Sequence, residues 1–400
     1  MPRINPAVLT WARETAGLEL AEAARKIGLS AARGVEAPAR LAALERGDEM
    51  PSRALLARMC KQYRRPLVVF YLAEPPVTGD RGTDFRTATE RDEGQEPLLD
   101  AIIRDVRSRQ GLVRTALLDE DDVEPLQFVG QYSLDDGVSA LRDALREVLT
   151  FDRERFRASS TVFDAFDYLR SRAEEAGIFV LLIGDLGSHH TAISPQTFRG
   201  YTLADPIAPF VVLNDRDARS AWSFTLLHEL CHLLLGTSGV SGAYAALDIE
   251  RVCDDVASGL LLDDGELDEL MPTAGGRAPS AAEIAAFARS RNISRTMVVY
   301  RLVRRGSIDR DQWVQLRDRF RAEWLEHRDD VRARNREAEG GPSYYVVRRH
   351  RIGAHLLGTV SYLLKTGSMT TVKAAKVLGV KPKNVLSGAT SSDRAAFSPD

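Results

Sequence analysis

The stretch Phe224–Gly236, reading FTLLHELCHLLLG, constrains this chain more than any other. Leu226, Leu227, Leu230, Leu233, Leu234 and Leu235 make a helix that is apolar nearly all round, which belongs inside a core. The same helix carries His228, Glu229 and His232. Histidines four residues apart stand one above the other on a single helix face, so both imidazoles reach one ion. Two imidazoles and a carboxylate without partners would be costly in an apolar core, so something must satisfy them. The HExxH spacing predicts a zinc site, with Glu229 beside the ligand face as general base toward a metal-bound water.

A catalytic zinc needs a third protein ligand and an open fourth position. Ile249–Leu262, reading IERVCDDVASGLLL, places Val252, Val256, Ala257 and Leu260 on a helical stripe. Glu250 and Asp254, again four apart, share another face. Glu250 completes a His2Glu set. Asp248 and Asp255 remain alternatives, because nine acids crowd the stretch from Asp248 to Glu269. Asp254 is placed one turn on, where it can bond the far nitrogen of a ligand histidine and fix its tautomer.

These residues resemble the ImmA/IrrE zinc metallopeptidases. The phrase HELCHLLLG followed by Glu250-x-x-x-Asp254-x-Val-Ala-x-x-Leu-Leu-Leu is similar to that family's HExxH helix and later Glu-x-x-Ala-Asn-x-Phe-Ala-x-x-Leu-Leu. Cys253 stands where the family often has Ala, Asp254 where it often has Asn, and Asp263 where Pro is usual. Asp occupies this place in thermolysin-like ExxxD sites, so the supporting role survives the change. The resemblance implies a peptidase module over 159–325 and, as substrate, one cognate regulator such as an XRE-type repressor.

The N-terminal segment has its own pattern. Trp11–Leu18 and Leu20–Leu29 read as two short helices closed by Gly17 and Gly28, followed by Arg40–Gly47 and the helix after Pro51. The segment resembles an XRE-type helix-turn-helix, whose recognition helix ends in Glu-Arg-Gly. The resemblance makes Arg40 and Arg46 candidate DNA contacts. Gly28 to Glu45 is about seven residues longer than the usual spacing, and Pro38 interrupts the start of the expected recognition helix. The same fold could instead dock a protein partner.

Charge is segregated along the chain. Residues 1–75 carry 12 basic and 8 acidic side chains, and Gly341–Ser392 carries eight basic and none acidic. Basic ends on an acidic centre suggest polyanion contact at the ends rather than at the metal region. Three cysteines, Cys60, Cys231 and Cys253, imply no disulfide framework. No signal-peptide core and no run of 18 apolar residues is visible, which predicts a cytoplasmic protein without membrane spans.

The predicted architecture is α+β and mostly helical: a small sheet plus the HExxH helix, zincin-like, flanked by helix-turn-helix-like domains. Residues 1–78 form the first domain, 79–158 a linker and helices, 159–325 the peptidase, 326–342 a charged helix and linker, 343–390 a small basic helical domain, and 391–400 a tail. Thr83–Arg86 falls in the linker. Strands are expected at Ile178–Ile183, Phe198–Leu203 and Pro209–Asn214, offering an extended substrate a sheet edge. His189 and His190 read as exposed loop residues or as cleft donors, and Tyr244 is the remaining candidate for the oxyanion. The function expected is a Zn2+-dependent regulatory endopeptidase acting on a protein substrate, with DNA contacts through both ends and a homodimer as one expected state. The competing expectation is a DNA-binding, antitoxin-like regulator whose metal is structural or sensory.

Overall fold

The computed structural model describes residues 3–32, 34–76, 83–84, 94–120, 122–241, 248–273, 278–337 and 344–385. Tyr244, the Gly340–Pro342 break and the tail beyond Ser387 lie outside them. The chain divides into two compact units, Met1–Arg81 with Arg91–Arg104, and Gly82–Glu90 with Asp105–Asp400.

The first unit packs α1 (Pro6–Glu14), α2 (Leu20–Lys26), α3 (Ala37–Arg46) and α4 (Arg53–Tyr63) around a core that includes Leu9, Ile27, Leu41, Leu56 and Phe70. Asn5 and Ser52 cap α1 and α4 with their side chains, each cap stabilising its helix by about 1 kcal/mol. Pro38 does not interrupt α3. It sits in the first turn, where its missing N–H has no partner to lose. The extra residues before α3 fold back on themselves, Ala32 and Val35 exchanging two backbone hydrogen bonds of 3.0 Å. Arg13 crosses the core to Glu45, with two contacts of 2.8 and 3.0 Å.

Helix α5 (Glu96–Leu118) begins in the first unit and continues in the second. The second unit holds a sheet of five strands in the order β1-β5-β3-β4-β2. These are β1 (Thr83–Asp84), β2 (Phe179–Leu182), β3 (Gly200–Leu203), β4 (Phe210–Leu213) and β5 (Gly239–Ser241). Strand β3 runs antiparallel to β4 and β5, while β2 runs parallel to β4 and β1 parallel to β5. Every residue of β2, β3 and β4 is buried, as expected of strands covered on both faces.

Before the sheet's main strands come α6 (Gly137–Val148), α7 (Arg153–Ala158) and α8 (Val162–Glu175). After them come α9 (Arg219–Leu234), α10 (Asp248–Leu261), α11 (Asp264–Thr273), α12 (Ala281–Arg289), α13 (Arg295–Arg304) and α14 (Arg310–Glu337). The chain ends in α15 (Tyr344–Ile352), α16 (Ala354–Thr366) and α17 (Thr371–Leu378). The α+β, mostly helical class is therefore as expected.

Two further expectations need correction. Thr83–Asp84 is a strand rather than linker, pairing with β5 at Gly239 and Val240. Among the described residues, β3, the strand packed against the HExxH helix, also has no free edge. Strand β3 is flanked by β4 and by β5, a three-residue strand that follows the helix. On the far side of β2, Arg170 donates to the Val180 carbonyl and α15 packs against the strand. The last helices are tied down by ion pairs: Arg351 reaches Asp185 at 2.9 Å and Asp215 at 2.6 Å.

Candidate metal centre

Helix α9 is the buried centre of the second unit. Leu226, Leu227, Leu230, Leu233 and Leu234 are each at most 1 % exposed, and each stabilises the fold by about 1.5–3 kcal/mol. The helix stops at Gly236, whose φ of 64° is left-handed. Thr237 N–H then donates to His232 O at 2.9 Å and Gly236 N–H to Leu233 O at 3.0 Å, a Schellman ending. That turn carries the Thr237 hydroxyl back to His232 Nδ1, 2.9 Å away.

His228 and His232 present their Nε2 atoms to each other at 3.2 Å. Glu250, in the first turn of α10, brings Oε2 to 3.3 Å from His228 Nε2 and Oε1 to 3.0 Å from His232 Nε2. The three candidate ligand atoms lie within 4.8 Å of one another, and all three residues are buried. Asp254, one turn further, accepts from His228 Nδ1 at 2.9 Å. The Thr237 hydroxyl donates to the His232 carbonyl, so its oxygen is the acceptor for His232 Nδ1–H.

With both Nδ1 atoms acting as donors, both Nε2 lone pairs point at one spot that they share with a carboxylate. Protons on both nitrogens would collide at this separation. A cation satisfies all three groups at once, and an N2O donor set suits zinc. The carboxylate itself favours positive charge here. Burial pushes Glu250 up, but His228 and His232 outweigh it and lower its pKa to about 2. Burial likewise opposes charge on His228, and the Glu250 and Asp254 carboxylates raise it well above the ordinary histidine value.

Glu229 is not aimed at that spot. It is 0 % exposed, its Oε2 accepts from the Thr202 hydroxyl at 2.8 Å, and its Oε1 has no hydrogen-bond partner among the described residues. Burial raises its pKa above the usual carboxylate range, against the lowering pull of the two histidines and Thr202. Glu229, His228 and Asp254 line a cavity of about 770 Å³ walled by Phe224, Tyr300, Trp313, Phe320 and Trp324, with Arg199, Arg317 and Arg321 at its polar side.

The other candidates divide cleanly. Asp255 turns to α13, accepting from Tyr300 Oη at 2.7 Å and Arg304 Nε at 2.8 Å, and Asp248 is exposed and pairs with Arg251. Neither joins the ligand group. His190 is exposed, and the cavity wall begins only at Ser194; the His189 side chain lies outside the described ones. Cys231 and Cys253 are both buried, and each thiol interacts with the other. In the first unit Arg40 donates to the Ser30 carbonyl, and exposed Arg46 pairs with Asp48 at 2.8 Å. Thr202, Thr237 and the cavity's aromatic wall carried no motif in the sequence.

Residues 173–303 match the family model Peptidase M78, the IrrE N-terminal-like domain. This match supports a metallopeptidase-type domain of the ImmA/IrrE kind, built on the helices and strands just described. No curated protein matches the chain. No helix among the described residues is long and apolar enough to cross a membrane.

Proposed function

We propose that the second unit is a zinc-dependent endopeptidase, with His228, His232 and Glu250 as ligands and Glu229 as general base. The observation that carries this reading is the convergence of the Glu250 carboxylate and two Nε2 atoms from the helix that also bears Glu229, whose Oε1 has no hydrogen-bond partner among the described residues. When bound, zinc supplies Lewis acidity and lowers the pKa of a water toward neutrality. Asp254 and Thr237 hold the imidazoles in the tautomer that carries the proton on Nδ1 and the lone pair on Nε2. Glu229 takes a proton from the attacking water at its free oxygen and returns it to the leaving nitrogen. Its raised proton affinity suits that exchange, because a carboxylate that titrates nearer neutrality both accepts and gives up a proton readily.

The substrate in this reading is a folded regulator, such as an XRE-type repressor, cut at an exposed segment. The first unit, through the face bearing Arg46, and the basic C-terminal region would bring the enzyme to DNA or to its target. A DNA-binding regulator with a structural or sensory metal is the second reading. The low exposure of the ligand residues favours it, whereas the presence of Glu229, unneeded for coordination, counts against it.

Elemental mass spectrometry of the full chain tests the centre: about one zinc per chain is expected, and its loss in His232→Ala. Glu229→Gln should keep the metal and lose all cleavage of a peptide pool scored for new termini. A Glu229→Gln chain that cleaves like wild type overturns the peptidase reading. Deleting residues 1–80 should weaken cleavage of the folded repressor far more than cleavage of a short peptide, and equal loss on both would remove the targeting role.

A further inference from the structure

Strand β3 makes two contacts with Glu229 that no motif announced. The first is polar. Thr202 is 0 % exposed, and its hydroxyl lies 2.8 Å from Glu229 Oε2 and 2.9 Å from the Glu229 carbonyl oxygen. The hydroxyl has one proton, and the carboxylate is the stronger acceptor. The second contact is steric. A Cβ on Gly200 would stand 2.5 Å from Glu229 Oε1, 2.8 Å from its Cγ and 2.9 Å from its Cδ. Gly200 has an ordinary strand conformation and pairs with Leu213 on one side and Ser241 on the other. A glycine weakens a strand interior, so its presence here answers a need for close approach rather than for backbone freedom.

We infer that Gly200 and Thr202 form a cradle on β3 that positions the general base. Thr202 holds one carboxylate oxygen, and Gly200 leaves room for the other, Oε1, which has no hydrogen-bond partner among the described residues. The two residues alternate on one face of the strand, so Tyr201 between them points the other way into the core. The central placement of β3 in the sheet makes the cradle rigid, which is what a base needs to keep its reach to a proton within a few tenths of an ångström. Both residues act on Glu229 rather than on the metal. They are positioning residues, and the assignment rests on the peptidase reading above.

The test uses the full-length, zinc-loaded chain and four variants: Thr202→Val, Thr202→Ser, Gly200→Ala and Glu229→Gln. Valine keeps the shape and strand preference of threonine and removes only the hydroxyl. For Thr202→Val the expected result is a kcat lower by about 10–100-fold on the peptide pool, with KM and zinc content unchanged. Thr202→Ser should restore kcat. Gly200→Ala should lose activity while keeping zinc, because the new methyl displaces the carboxylate. Crystal structures supply the second readout: the Glu229 carboxylate should leave its wild-type position in Thr202→Val and Gly200→Ala and keep it in Thr202→Ser. A wild-type kcat in Thr202→Val, or an unmoved carboxylate in both of the disrupting variants, overturns the cradle. If Glu229→Gln cleaves like wild type, the peptidase reading fails instead, and the crystallographic outcome alone decides whether β3 holds the side chain.

Discussion

Replacing Asp254 by alanine should weaken zinc binding by about 10–50-fold without unfolding the chain. Asp254 is not a ligand. It accepts the Nδ1 proton of His228 at 2.9 Å and keeps a fifth of its side chain, 19 %, in solvent. A hydrogen bond to a charged group contributes about 1.5–3 kcal/mol, and partial exposure places this one in the lower half of that range. At 1.4 kcal/mol per tenfold, the loss corresponds to the stated shift in Kd. The figure falls inside the range of about 10–100-fold seen when an outer partner of a ligating histidine is removed. Asp254→Asn retains an acceptor oxygen without its charge, and a neutral bond is about half as strong, so that variant should lose less than tenfold. The measurement is competition against a chromophoric chelator at fixed pH and ionic strength. A Kd for Asp254→Ala within twofold of wild type, in a protein that unfolds at the wild-type temperature, would show that His228 needs no help to present Nε2.

Three further outcomes follow from the same geometry. Gly236→Ala should cost about 1–2 kcal/mol in left-handed backbone strain, more once its Cβ meets Gly130 Cα at 2.9 Å, and it should lower zinc affinity by moving Thr237; urea melts and chelator competition report the two effects. Arg13→Ala should destabilise the first unit by about 3–5 kcal/mol, because it strands Glu45, whose side chain is only 7 % exposed, without its partner; a loss under 1 kcal/mol in chemical denaturation would contradict this. In chelator-stripped protein Glu250 has a folded pKa of about 2 against an ordinary 4.5, so its stabilising contribution is present above the ordinary value and disappears as pH falls through about 2. The gap in melting temperature between wild type and Glu250→Gln should therefore close across that acid window.

What could be read from the letters follows a physical rule. His228, His232, Glu250 and Asp254 were legible because each pair uses the i, i+4 repeat of a helix, and a repeat survives translation into sequence. The strands at 179–182 and 210–213 were legible as continuous apolar runs between turn residues. Strands β1 and β5, two and three residues long, are too short to hold any period, so the closed flank beside β3 could not be foreseen. Thr237 lies one residue past Gly236, and its bond to His232 depends on how the helix end folds back there. Gly200 and Thr202 come 29 and 27 residues before Glu229, and they act through the absence of a side chain and through one hydroxyl. Helix-borne chemistry leaves a spacing in the sequence. The support that crosses from a strand to a helix leaves only a glycine and a threonine, and those acquire meaning once the sheet has placed them.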